Sequence, residues 1–233
     1  MPDAPTDRSS EPALLDQAVV ERVLGAGLAR GADFAEVFVE DRRSSSALLD
    51  DGRVEELTSG RDRGAGIRVV VGDSTGFAHT SDLSEAGLIA AAEAAAAASR
   101  GAGGSTRVVD LDRVDAPPPN AVAILPGDVP KARKVELLLT ADGAARAAGG
   151  AITQVSARYA DGRRRILVAN SDGVLASDDQ VRTIFSVSCV ASGDTGMQTG
   201  RESVGHTVGF ELFDGVKVAD LAERAARRAI TKL

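Results

Sequence analysis

The stretch Ser46-Ala47-Leu48-Leu49-Asp50-Asp51-Gly52-Arg53-Val54 decides how this chain folds. Asp51-Gly52 is a strong hairpin signal, because a two-residue turn between strands demands positive φ and glycine accepts it without steric cost. On the N-terminal side, Phe34, Val37 and Val39 lie in one β-like run and residues 46–49 start another. Before them Leu14, Leu15, Ala18, Val19, Val23, Leu24 and Leu28 recur at helical spacing. Pro12 suits a first helical turn and Gly31 a stop, which predicts a helix over about 12–30. Residues 1–11 read as a disordered lead-in. On the C-terminal side, 67–71 and 76–80 pair around Gly72-Asp73-Ser74-Thr75. Ser84 then caps a helix running to about residue 99, with Glu85 in its first turn favouring the helix dipole.

The pattern repeats in layout beyond residues 100–129, where Gly101, Gly103, Gly104, Pro117-Pro118-Pro119, Pro126 and Gly127 predict a mostly extended linker. A helix over 130–148 is bounded by Pro130 and Gly149-Gly150. Strands over 151–159 and 165–169 surround Asp161-Gly162, and Asp172-Gly173 turns into 174–176. A longer strand covers 181–191, a Gly/Ser/Thr-rich loop 192–205, and a last helix opens near Val216. Its stripe of Val218, Leu221, Ala222, Ala225, Ala229 and Ile230 reaches Leu233 without a Gly, Asn or Pro stop, as in a chain cut short. The expected fold is α/β of the α+β type. Two helix–antiparallel-sheet–helix modules, 12–99 and 130–233, are joined by the Gly/Pro-rich linker 100–129.

Composition narrows the function. The 233 residues carry a formal charge of −7, with no basic tract, which argues against a nucleic-acid grip. One cysteine, Cys189, excludes an intrachain disulfide framework and fits a reducing compartment. The acidic N-terminus has no signal-peptide pattern, and apolar runs such as Ala94 to Ala98 fall far short of the roughly 20 residues that span a bilayer. A cytoplasmic protein without membrane contact is expected.

Several groupings have the residue types of catalysis without its spacing. Gly72-Asp73-Ser74-Thr75-Gly76 has the form of a nucleophile elbow, but Phe77-Ala78-His79-Thr80 continues as a strand where the elbow needs a helix. His79, Ser81 and Asp82 sit too close together on one run to converge as a triad. Glu202 and His206 would share a face on a helix, yet Gly200 and Gly205 and the lack of helical apolar spacing indicate loop or strand, a solvated loop foremost, and His79 is the only other imidazole. Arg163-Arg164-Arg165 reads as a solvated face beside a turn, and Asp50-Asp51 and Asp178-Asp179 as turn acids without calcium-loop spacing. Gly101-Ala102-Gly103-Gly104 does not follow a strand and open a helix, so it is no dinucleotide loop. Cys189, mid-strand without a basic partner, reads as a buried structural thiol. No position is assigned a catalytic, cofactor-binding or metal-binding role.

Three blocks carry a family resemblance: Leu48-Leu49-Asp50-Asp51-Gly52-Arg53-Val54-Glu55-Glu56, Arg63-Gly64-Ala65-Gly66-Ile67-Arg68-Val69 and Gly76-Phe77-Ala78-His79-Thr80-Ser81-Asp82-Leu83-Ser84. With Asp172-Gly173-Val174-Leu175-Ala176-Ser177-Asp178 and Gly209-Phe210-Glu211-Leu212-Phe213, they make the chain from about residue 12 resemble the TldD/PmbA family of metallopeptidases, also called modulators of DNA gyrase. Gly-Phe-Ala at 76–78 and Gly-Phe-Glu at 209–211 are more similar to the TldD branch than to PmbA (TldE). Members of that type are roughly twice this length and carry a zinc motif, His-Glu-x-x-x-His, in a C-terminal domain, where imidazoles hold Zn²⁺ and the glutamate activates water. No His-Glu pair occurs here, so the resemblance implies the N-terminal, non-catalytic part of such a subunit, inactive alone and binding no Zn²⁺ itself. It also implies pairing with a sister TldE/PmbA-type subunit or with itself as a dimer, around a cavity that admits unfolded peptides for degradation or trimming. The sheet edges and the 192–205 loop are then candidates for peptide or subunit contact. The alternative is a stand-alone binding or assembly module related to that family; a serine hydrolase using Ser74 is a third.

Overall fold

The computed structural model describes residues 11–99, 110–114 and 121–233. In chain order these form α1 (Gln17–Leu28), β1 (Phe34–Asp50), β2 (Arg53–Val71), β3 (Ser74–Thr80), α2 (Glu85–Ala98), β4 (Asp112–Arg113), α3 (Lys131–Ala147), β5 (Ile152–Asn170), β6 (Val174–Gly193), β7 (Gly196–His206), α4 (Leu212–Gly215) and α5 (Val218–Thr231). The α/β class holds. The strands of both halves make one seven-stranded sheet, in the order β3-β2-β1-β5-β6-β4 with β7 also on β6. The joint between the halves is a ladder: β1 pairs β5 antiparallel from Glu36↔Asn170 to Asp50↔Ser156 without a break. The parallel β4–β6 pairing is the exception to antiparallel order.

Both helix layers lie on one side of this sheet. Val37 and Val39 are buried beneath α1 and α2, while Ala47 and Leu49 are buried with α3 and α5. All four positions are odd-numbered on one unbroken strand, and side chains two apart share a face. The two apolar clusters are therefore separated along β1 by a polar middle, Asp41, Arg43 and Ser45, rather than by a change of face. Each cluster contains a close helix–strand approach at a glycine. A Cβ at Gly76 would lie 1.9 Å from the Ala95 carbonyl oxygen, and one at Gly200 would lie 2.0 Å from that of Ala225.

The central turn forms as the sequence demands, with Asp51 at φ 47° and Gly52 at φ 78°. Ser84 caps α2, its hydroxyl accepting from the Gly87 N–H at 3.2 Å. Other boundaries differ, each for a tertiary reason. The first helix starts at Gln17, not at 12, because Arg165 holds the Pro12 carbonyl at 2.6 Å and Arg163 holds Glu11, which lays that segment across the sheet. The separate runs at 34–39 and 46–49 are one strand, since neighbours on both sides satisfy its backbone through the polar middle. No turn forms at Asp161-Gly162, where β5 is paired to Ser45 and Ser44 on one side and to Thr183 and Arg182 on the other. Residues 177–180 likewise continue β6, which places Asp178 and Asp179 in a strand.

The loop predicted over 192–205 is the end of β6, a turn at 194–195 and β7, and Gly200 there admits the backbone of α5. The last helix, expected to open near Val216, is α5 from Val218, and a short helix not expected from the sequence, α4, precedes it. Of the predicted linker, 100–109 and 115–120 lie outside the described residues. Within the rest, β4 pairs with β6 and Leu111 and Val122 are buried, so that part is built into the fold. Residues 1–10 of the predicted lead-in also lie outside the described residues.

Candidate contact surface

Between the two helix layers the sheet carries a polar saddle. Arg61 grips Asp41 through two nitrogens, Nε at 2.9 Å among them, and this hydrogen bonding holds the Asp41 carboxyl below the usual carboxylate range. Arg163 forks onto Asp179 with Nε at 2.9 Å and Nη2 at 2.6 Å, and its Nη1 donates to Glu11 at 2.7 Å. Lys134, buried on α3, donates to Asp161 at 2.7 Å and to Ser45 at 2.8 Å and lies 5.2 Å from the centre of the Tyr159 ring. Burial, chiefly, drives the Tyr159 phenol far above its ordinary value, with the Asp161 charge acting in the same direction. A lysine whose ammonium is clamped to a carboxylate is no general base for the adjacent Ser45, so the cluster is structural chemistry.

The solvated face expected of Arg163-Arg164-Arg165 beside a turn thus holds for Arg164 alone, and the turn is absent. Arg163 has a side chain only 13% exposed, and Arg165 reaches Glu11. Arg164, on the opposite face, pairs with Glu40 at 2.6 Å. Glu202 and His206 lie on a strand, and Glu202 is turned under α5, 2.9 Å from Arg228 Nη2 in an ionic contact and 3.6 Å from Arg224. Ser74 opens β3 after the Gly72-Asp73 turn, so no strand-to-helix elbow exists. Asp82 accepts from the Ser84 N–H at 2.9 Å at the start of α2, while exposed His79 stacks beside Phe77. His79 and His206 stand on β3 and β7, at opposite sides of the sheet. Cys189 is buried, and that burial pushes its thiol up to about 11. The Gly101–Gly104 run lies outside the described residues. Among the described residues no three His, Cys, Asp or Glu side chains group to hold a metal.

What the sheet does offer is open surface. β3 pairs with β2 only from Ala65 to Val71, so residues 53–63 of β2 have β1 on one side and no described strand on the other. Every residue from 51 to 63 is exposed. The sequence pointed to sheet edges in general; the particular edge depends on where β3 stops. Among the described residues the face opposite the helices is bare of helix and carries Phe34, Phe38 and, on β3, Phe77, whose exposure is 62%. No helix is long and apolar enough to cross a membrane among the described residues.

Comparison with known proteins gives this arrangement its kinship. Residues 124–233 match the family model for the PmbA/TldA metallopeptidase central domain, and residues 35–99 match that for PmbA/TldA metallopeptidase domain 1. A metalloprotease of Methanothermobacter thermautotrophicus is 34% identical over 205 residues, covering 86% of this chain and 43% of that protein. A metalloprotease TldD homolog of Haemophilus influenzae is 30% identical over 210 residues, covering 88% and 44%. The chain therefore spans less than half the length of these relatives. Among solved structures, TldE from Thermococcus kodakarensis shares the fold at a TM-score of 0.69 and 16% identity, over 91% of this chain and 47% of that one. A Bacteroides thetaiotaomicron protein named as a candidate modulator of DNA gyrase does so at 0.74 and 16%, over 93% and 50%. With domain 1 and the central domain matched in order along one continuous sheet, the chain belongs to the TldD/PmbA metallopeptidase family.

Proposed function

We propose that this chain is the N-terminal portion of a TldD-type metallopeptidase subunit that degrades or trims unfolded peptides, and that its sheet serves cavity formation and subunit assembly. The observation that carries this is the one-sided sheet. Among the described residues both helix layers cover one face, while the other face and the β2 edge stay open for a partner. An edge strand with unpaired N–H and C=O groups accepts an extended chain by backbone hydrogen bonding. Zn²⁺ would be held by residues beyond this stretch, where it would polarise the scissile carbonyl and activate water; the groups here bind and orient. The relatives named metalloproteases, and a structural neighbour that is a TldE, support assembly with a sister TldE/PmbA-type subunit or with a second copy.

The test is sedimentation of this chain alone and with a TldE-type subunit, together with anisotropy of a labelled unfolded peptide. A complex with either ligand is the expected result. A chain that stays monomeric and binds neither refutes the assembly role.

A further inference from the structure

We infer that the β2 edge over 57–63 selects an extended peptide in which two acidic residues flank a basic one, with an apolar residue four positions from the nearer acid. The inference rests on the peptide-contact role proposed above and names the chemistry of the segment that fits.

The outward-facing positions follow from the register. Val71 and Ser74 flank the two-residue Gly72-Asp73 turn, so Val71 directs its N–H and C=O toward β3. That orientation recurs every second residue. Beyond the end of β3 it leaves Leu57, Ser59, Arg61 and Arg63 with backbone groups aimed at the open side. The irregularity opposite Leu48/Leu49 breaks the phase below Glu56, which sets the lower limit of the usable edge. Seven residues at roughly 3.3 Å each give about 23 Å, enough for a peptide of similar length.

Side chains supply the selection. Arg61 and Arg63 stand on the helix-bearing side, with exposed Arg43 cross-strand from Arg61 on β1. Arg61 is bound to Asp41 yet keeps a 47% exposed side chain, and neither Arg43 nor Arg63 has an ion-pair partner among the described residues. The saddle is thus locally cationic in a chain of net charge −7. Asp62 and Glu56 stand on the opposite face, and Leu57 is 40% exposed on the helix-bearing one. An added strand places its residues directly opposite these, so it gains from acids facing Arg61 and Arg63, a base facing Asp62 and an apolar group facing Leu57. The same charges repel strands of the wrong pattern, which is how an open edge avoids indiscriminate pairing.

The experiment titrates this chain against fluorescent Leu-Thr-Ser-Thr-Glu-Lys-Glu and its charge-swapped counterpart Leu-Thr-Ser-Thr-Lys-Glu-Lys, each also made in reverse order to serve both strand directions. The matched peptide in one direction should bind at least about tenfold tighter than its swap, since three cross-strand pairs change sign. Arg63→Glu should narrow or invert that ratio, and N-methylation of alternate peptide nitrogens on the edge-facing side should abolish binding without altering the protein. Equal binding of matched and swapped peptides overturns the charge selection while leaving peptide contact standing. Binding that ignores N-methylation overturns the edge as the site. No binding of any peptide overturns both this inference and the peptide-contact role.

Discussion

The same substitution, glycine to alanine, should have opposite signs at two helix-packed positions and two free ones. At Gly76 an added Cβ would sit 1.9 Å from the Ala95 carbonyl oxygen and 2.6 Å from the Ser99 nitrogen. At Gly200 it would sit 2.0 Å from the Ala225 oxygen and 2.7 Å from the Ala229 nitrogen. Ordinary contact begins at 3.4 Å, so each helix must retreat by more than 1 Å, and the obstacle is helix backbone, which cannot rotate away. Overpacking of a tight core costs about 1–3 kcal/mol, with rigid backbone at the upper end. By contrast Gly143 and Gly25, inside α3 and α1, have nothing within 4 Å of an added Cβ. There alanine removes backbone freedom from the unfolded chain and should stabilise by about 0.5–1 kcal/mol. At roughly 2–4 °C per kcal/mol for a chain of this size, Gly76→Ala and Gly200→Ala should lower Tm by about 5–10 °C, while Gly143→Ala and Gly25→Ala raise it slightly. Thermal unfolding followed by circular dichroism reads the Tm shifts, and urea unfolding, with m checked for constancy, reads the free-energy changes of all four. If Gly76→Ala and Gly200→Ala are neutral or stabilising, the helices are not seated through these glycines and the packing described above is wrong.

Further outcomes follow from the saddle and the cores. Lys134→Ala should cost about 3–5 kcal/mol in urea unfolding, because Asp161 is left buried without its cation; a loss below about 1 kcal/mol would mean that water reaches Asp161. The Asp41 carboxyl, held low by Arg61, adds stability that is present above the unfolded carboxylate value and lost as pH falls through the folded one. Asp41→Asn should therefore flatten the acid limb of a stability–pH curve and lower stability at neutral pH. Cys189, buried with its thiol raised to about 11, should react with a thiol reagent only as fast as the chain unfolds, with full labelling in denaturant. Leu138→Ala, in a fully buried position on α3, should cost about 2–5 kcal/mol in the same urea assay.

What could be read from residues alone was local. Asp51-Gly52 had to turn because few other pairs tolerate positive φ twice, and Ser84 had to cap because its oxygen meets an orphan N–H. The family resemblance was likewise carried by short blocks. Missed were the features whose cause lies across the sheet. Asp161-Gly162 is a turn by composition and a strand in fact, since Ser45 and Thr183 pair with Asp161 from both sides. The glycines of 192–205 suggest a loop until α5 is seen lying against Gly200. Arg163 looks like surface until Asp179 and Glu11 close on it. The open β2 edge was invisible for the same reason, because it exists only where β3 stops and β1 does not. Turn and cap chemistry depends on a few neighbouring dihedrals, which the sequence by itself determined; strand length, ion pairing and a free edge depend on partners distant in the chain, which only the tertiary structure decided.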